Sequence, residues 1–241
     1  MSDPAAVAER AAALLLEERL QRPERPLGLA TGRTMAPVFR ALARRFSRLP
    51  ADEAGRVRSE WCSFNLDEYI GLESGDPRSF TAAMERDLVA PLGLDPRRVR
   101  LPDGRAADPA AAARRYAAEV ERAGGIGLQL LGLGLNGHVG FNEPPCGPEA
   151  RCRCVRLRSL TRRQNAAAFG GDPAAVPERA ITLGLAEILA AERILLVVTG
   201  AAKAPVLRRV LQDPPTPDLP ASWLQRHPAV TVLADDAALG R

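Results

Sequence analysis

Residues 4 to 21, PAAVAERAAALLLEERLQ, set apolar side chains at helical spacing with charges on the opposite face, and Pro23 and Pro26 close the run. The pattern predicts a helix followed by a turn. LGLA (27–30) is a short apolar strand, followed by the polar turn TGRT (31–34) and a helical stretch through about Phe46. WCSFNL (61–66) predicts a second strand, then come a helix near 79–91, a short strand RVRL (98–101) and an amphipathic helix over 108–122. GIGLQLLGLGL (125–135) is apolar without alternation, as expected of a strand buried on both faces of a parallel sheet. A helix near 181–191, the strand RILLVVTG (193–200), a helix over about 201–212 and the strand AVTVLADD (229–236) complete the series.

Strands alternating with helices predict an α/β fold, a doubly wound, mostly parallel sheet of the Rossmann-like kind with helices on both faces. There is no internal repeat. The only linker-like stretch, DPPTPDLP (213–220), is too short to divide domains, so one domain over 1–241 is expected. In such sheets ligands bind at the carboxyl ends of the strands, so the residues just past each predicted strand carry the information about function. TGRT comes after LGLA, Asp67 and Glu68 after SFNL, Asn136, Gly137 and His138 after QLLGLGL, and Lys203 after LLVVTG. Polar, titratable or glycine-rich sequence at all four ends points to an active site.

Composition narrows the classes. A chain of 241 residues, 46% hydrophobic, can bury one large core, and a net charge of +4 spread along the sequence gives little support to a nucleic-acid partner. No apolar stretch approaches the roughly 18 residues of a membrane span. The N-terminus MSDPAAVAER opens acidic and polar rather than as a signal peptide, so a cytoplasmic protein with no membrane partner is expected. The cysteines at 62, 146, 152 and 154 then read as reduced thiols. Lys203 is the only lysine, so 32 of the 33 basic residues are arginine. Either it survived by chance in an arginine-rich chain, or its site refuses arginine.

The individual motifs each admit two readings. Thr31, Gly32, Arg33 and Thr34 join a strand to a helix, where backbone N–H groups and the helix dipole favour a phosphate, but Thr and Gly at a helix start are also ordinary capping residues. Asp67 is placed to act as a general base or to cap a turn. His138, between Gly137 and Gly140 and five residues before Glu143, forms an acid–base pair with that carboxylate or is a satisfied structural histidine. CGPEARCRC (146–154) lacks a CxxC pair, which argues against zinc. The arginines at 151, 153, 156, 158, 162 and 163 read as a solvated segment beside the site rather than a polyanion track, and His227 before Pro228 as structural.

Taken together, FNLDEYIGL (64–72), GLNGHVGFNEP (134–144), LGLATGRT (27–34), TGAAKA (199–204) and PASWLQRHPAVTVLADDAA (220–238) resemble the glucosamine-6-phosphate deaminase family, in family order from about residue 10 to the C-terminus. The related 6-phosphogluconolactonases carry different sequence at the DEY and GHxxFNEP elements. The resemblance implies conversion of glucosamine 6-phosphate to fructose 6-phosphate and ammonia without a cofactor or metal. Galactosamine 6-phosphate as substrate, or a catalytically weak sugar-phosphate sensor, are the alternatives. By the same resemblance Asp67 is the base that moves a proton between C2 and C1, His138 opens the pyranose ring, Glu143 is its carboxylate partner, and Thr31, Gly32, Thr34 and Lys203 hold the phosphate.

Two positions depart from the family. Asn136 stands where aspartate is common, and it can accept a hydrogen bond from imidazole without stabilising imidazolium by a full charge. Ala168, in QNAAAFGGD (164–172), stands where relatives bring an arginine to the phosphate, and Arg33 is expected to replace that charge from the opposite side. The chain ends soon after its last predicted strand. A monomer or low homo-oligomer without allostery is expected.

Overall fold

The computed structural model describes all 241 residues. In chain order the elements are α1 (Pro4–Gln21), β1 (Leu27–Leu29), α2 (Met35–Phe46), α3 (Ala51–Glu60), β2 (Ser63–Asn65), β3 (Asp67–Tyr69), α4 (Phe80–Met84), α5 (Ala90–Leu92), β4 (Val99–Arg100) and α6 (Pro109–Arg122). They continue with β5 (Leu128–Gly132), β6 (Arg153–Arg156), α7 (Ser159–Asn165), β7 (Arg179–Thr182), α8 (Leu185–Leu189), β8 (Arg193–Val198), α9 (Ala204–Gln212) and β9 (Val230–Ala234). A π-helical turn, Glu85–Val89, joins α4 to α5.

Helix starts reflect sequence chemistry. Asp3 and Asp108 each precede a proline at the first helical position, and their carboxylates accept from Ala6 N–H and from Ala110 and Ala111 N–H. Six strands form one parallel sheet in the order β4-β2-β1-β5-β8-β9. Phe64 of β2 meets Tyr116 of α6 on one face, while Gly132 of β5 faces Met35 of α2 on the other. Helices therefore cover both faces, and 57 buried hydrophobic residues form one core cluster through the sheet.

Chain order reverses between β1 and β5, because β1 leads outward to β2 and β4 while β5 leads to β8 and β9. That reversal opens a crevice beyond the carboxyl ends of β1 and β5.

Three expectations are corrected. The strand expected over 61–66 ends at Asn65, and Asp67 does not trail it in a loop but begins β3. β3 belongs to a second sheet, antiparallel in the order β3-β7-β6, which the sequence pattern did not reveal. The helix expected near 181–191 is shorter, Leu185–Leu189, because residues up to Thr182 pair in β7. This small sheet adds a second cluster of seven buried residues, among them Tyr69, Phe141 and Phe169.

Candidate active site

The loop after β1 runs from Ala30 to Thr34 into α2. Gly32 sits at φ +109°, and its carbonyl accepts from Met35 and Ala36 N–H. The capping alternative for the threonines is not met: Thr34 makes no side-chain cap bond, and both Thr31 and Thr34 line a cavity of about 280 Å³ together with Gly32, Arg33 and Lys203. The positive end of α2 points the same way.

Lys203 ends a 3-10 turn after β8, and its Nζ donates to the Leu133 carbonyl at 2.6 Å, tying the β8 loop to the β5 loop. Burial and the nearby Arg33 charge both hold its pKa below the ordinary lysine value. Arg33 itself is exposed.

The β5 loop brings His138 over Gly134, whose backbone leaves no room for a side chain: a Cβ there would collide with the His138 ring. Gly140, at φ +56°, approaches the Asp67 carboxyl so closely that a Cβ would stand 3.4 Å from its Oδ2. The two glycines thus let the histidine loop fold against β3, and both Asp67 and His138 line the cavity. Asn136 Oδ1 lies 2.5 Å from His138 Nδ1 and also accepts the His138 backbone N–H. An amide oxygen there requires the hydrogen on Nδ1, which leaves Nε2 as an acceptor. Burial, with help from the Lys203 charge, lowers His138 to about 4, so the ring is neutral at physiological pH.

Asp67 is 7% exposed and accepts no hydrogen bond within the chain. Burial, reinforced by the charge of Glu68, raises its pKa to about 8. Along β3 the neighbouring carboxylate turns the opposite way: Glu68 accepts from the N–H groups of Tyr69, Phe80 and Thr81 and from the Thr81 hydroxyl. One dipeptide supplies both a cavity acid and the anchor of α4.

Glu143 is not hydrogen-bonded to His138. Its oxygens accept from Arg158 N–H and the Thr161 hydroxyl, fixing the start of α7, and it does not line the cavity. The partner of the imidazole in this structure is Asn136.

Several cavity residues went unnoticed in the sequence: Tyr69, Arg78, Phe80, Phe141, Gln164 and Asn165. Tyr69 receives a hydrogen bond from Asn165 Nδ2 and packs against Phe80, Phe141 and Phe169, so aromatic rings from four separate segments meet beside Asp67. Only the three-dimensional packing reveals this group. His227 bonds the Ala191 carbonyl through Nε2 and accepts Ala229 N–H at Nδ1, which is a structural role. The four cysteines are free, and no cluster of three His, Cys, Asp or Glu side chains could hold a metal ion. Burial drives Cys152 up to about 12. Arg153 and Arg162 of the arginine-rich segment bond neighbouring groups, Asn142 for the first and the Ala174 and Val176 carbonyls for the second.

A cavity at the switch point of a parallel sheet, lined by one acid, one imidazole and three cations, places the protein in the class of doubly wound α/β enzymes. Residues 2–233 match the model of the family described as glucosamine-6-phosphate isomerases/6-phosphogluconolactonase, and the chain belongs to that family. A glucosamine-6-phosphate deaminase from Rhodopirellula baltica is 41% identical over 98% of this chain and 92% of its own length. One from Shewanella loihica is 38% identical over 100% of this chain and 88% of its own. Among solved structures, a monomeric glucosamine-6-phosphate deaminase superposes with a TM-score of 0.93 at 35% identity, covering 100% of this chain and 97% of the other. The 6-phosphogluconolactonase from Leishmania guyanensis, at 19% identity and a TM-score of 0.74 over 99% and 95% of the chains, shares the fold.

Proposed function

We propose that this protein converts glucosamine 6-phosphate and water to fructose 6-phosphate and ammonia. The observation that carries the reading is the cavity itself, where Asp67 and His138 share one small space with the loop Thr31–Thr34 and Lys203. Relatives about 40% identical over nearly the whole chain are deaminases of this substrate.

The phosphate rests on the α2 N-terminus, the threonine hydroxyls and the Lys203 ammonium. His138 Nε2 takes the proton of the anomeric hydroxyl and passes it to the ring oxygen, opening the pyranose. A neutral ring held by Asn136 suits this exchange, since imidazolium could not accept. Asp67 then removes the C2 proton and returns it to C1, giving an imine at C2, and water adds there as ammonia departs. A carboxyl with a pKa near 8 is poised for both directions of that transfer at neutral pH. Glu143 acts through α7, which walls the cavity. None of these steps calls for a cofactor. The protein works as a monomer, like the relative at 35% identity, and serves amino-sugar catabolism in the cytoplasm, where phosphorylated sugars are kept. No helix is long and apolar enough to cross a membrane.

Purified protein is incubated with glucosamine, galactosamine and mannosamine 6-phosphates and with free glucosamine, and ammonia is measured. Preferred turnover of glucosamine 6-phosphate is expected. Faster release from galactosamine 6-phosphate reassigns the substrate, and binding without ammonia from any of them replaces the enzyme by a sensor.

A further inference from the structure

The wall that residues 164 to 169 give the cavity carries no charge, because its lining residues are Gln164, Asn165, Ala167 and Ala168. The other walls hold four formally charged side chains, Arg33, Asp67, Arg78 and Lys203. Arg33 and Lys203 lie together, close enough for the first to depress the pKa of the second. Arg78 comes from elsewhere, out of the loop between β3 and α4. Its guanidinium lies 5.3 Å above the ring of Phe169, the residue after Ala168.

That guanidinium is fixed on two sides. Nε donates to Asp76 Oδ1 at 2.8 Å and Nη2 to Oδ2 at 2.5 Å, while Asp76 Oδ1 also accepts the Arg78 backbone N–H. The pair sits at the surface, with the Asp76 side chain 8% and the Arg78 side chain 44% exposed, and the Asp76 backbone is tied to the Glu73 carbonyl and to Ser79, which steadies the anchor. The Phe169 ring sets the plane. A guanidinium has five N–H donors in a rigid fork, and Nη1 makes no hydrogen bond within the chain. A donor edge held in orientation, with no partner in the chain and on the lining of a cavity that holds two further cations, fits an anion, and the fixed orientation lowers the entropy lost on binding.

We propose that Arg78 is an anion-binding residue of this cavity, gripping the substrate phosphate through Nη1 from a loop separate from Thr31–Thr34 and setting the preference for phosphorylated over free amino sugars. This rests on the cavity being a sugar-phosphate site. The charge on the uncharged wall comes from a loop packed upon it, and the role expected of Arg33 falls at least in part to Arg78.

Inorganic phosphate is titrated calorimetrically into the parent, Arg78→Ala and Arg33→Ala, and KM and kcat for glucosamine 6-phosphate are measured beside it. Arg78→Ala should weaken phosphate binding and raise KM about tenfold with kcat nearly unchanged, the scale of one charge-assisted contact at a partly exposed site. Arg78→Lys should recover only part, because an ammonium neither forks onto Asp76 nor lies flat on Phe169. Asp76→Asn, which frees the guanidinium without removing it, should raise KM less than Arg78→Ala. Phosphate affinity and KM of Arg78→Ala within about twofold of the parent, at unchanged melting temperature, overturn the proposal. A parent that binds inorganic phosphate but releases no ammonia overturns the assigned function instead, and the phosphate titrations then judge Arg78 alone.

Discussion

Replacing Asp67 by asparagine should make the protein both slower and more stable, and the size of the second effect is set by its surroundings. The carboxyl accepts no hydrogen bond within the chain, so the amide breaks none. A group whose folded pKa is raised, here from 3.8 to about 8, gives stability that is fully present below 3.8 and lost as pH rises through 8. Between those values the loss runs at about 1.4 kcal/mol per pH unit, reaching roughly 2 kcal/mol at pH 5 and roughly 5 kcal/mol at pH 8. These are ceilings, since water entering the cavity would soften the charge. Asparagine does not titrate. The advantage of Asp67→Asn over the parent should therefore grow by up to about 3 kcal/mol between pH 5 and pH 8, or about 6–12 °C in melting temperature for a domain of this size. Any constant cost of the buried amide cancels in that comparison. Over the same range kcat should fall at least about 100-fold, the low end for a general base. Melting curves of both proteins at the two pH values, with ammonia release at pH 7.5, test the pair of effects. An advantage that does not change with pH would refute the raised pKa, and kcat within about threefold of the parent would remove Asp67 from the chemistry.

Asn136→Asp sets a full charge beside His138 Nδ1 and should raise the imidazole pKa from about 4 toward neutrality, read by NMR titration of the ring. The depressed pKa of His138 gives stability present above 6.5 and lost as pH falls toward 4, so the variant should also resist acid better; an unmoved ring titration defeats the argument. Lys203→Ala should raise KM for glucosamine 6-phosphate at least about tenfold, and Lys203→Arg should not restore it, because a forked guanidinium does not reproduce the compact ammonium bonded to Leu133. Full rescue by arginine means the only lysine is there by chance.

The loops that line the cavity are legible in the sequence for a physical reason. Strands buried on both faces leave apolar runs without alternation, interrupted in Leu128–Gly132 only by the buried Gln129 and preceded in Arg193–Val198 by one exposed arginine, and the residues after each run stand at a strand end. The small antiparallel sheet escapes this reasoning. Its strands are three or four residues long, and β6, RCVR, is charged and only partly buried, so no period of two can be counted. Helix α3 is hidden for a similar reason, since only Ala54 and Val57 of ADEAGRVRSE are buried. The pairing of His138 with Glu143 is suggested by nearness in sequence, whereas folding sends the carboxylate to α7. Arg78 lies in a Gly-Asp-Pro turn that announces a loop and nothing more. Its meaning depends on Phe169, far along the chain.

The turning of Asp67 and Glu68 to opposite sides of β3 makes acidity depend on local opening. Glu68 contributes to the high pKa of Asp67 and at the same time terminates four donors, three of them on the first residues of α4. Fraying of that helix start would release the Glu68 carboxylate to water and screen its charge, and Asp67 would become a stronger acid in the frayed state. The amide hydrogens of Phe80 and Thr81 are thus reporters of the proton affinity of a side chain they never touch. Conditions that speed their exchange with solvent should shift the titration of Asp67 downward in step.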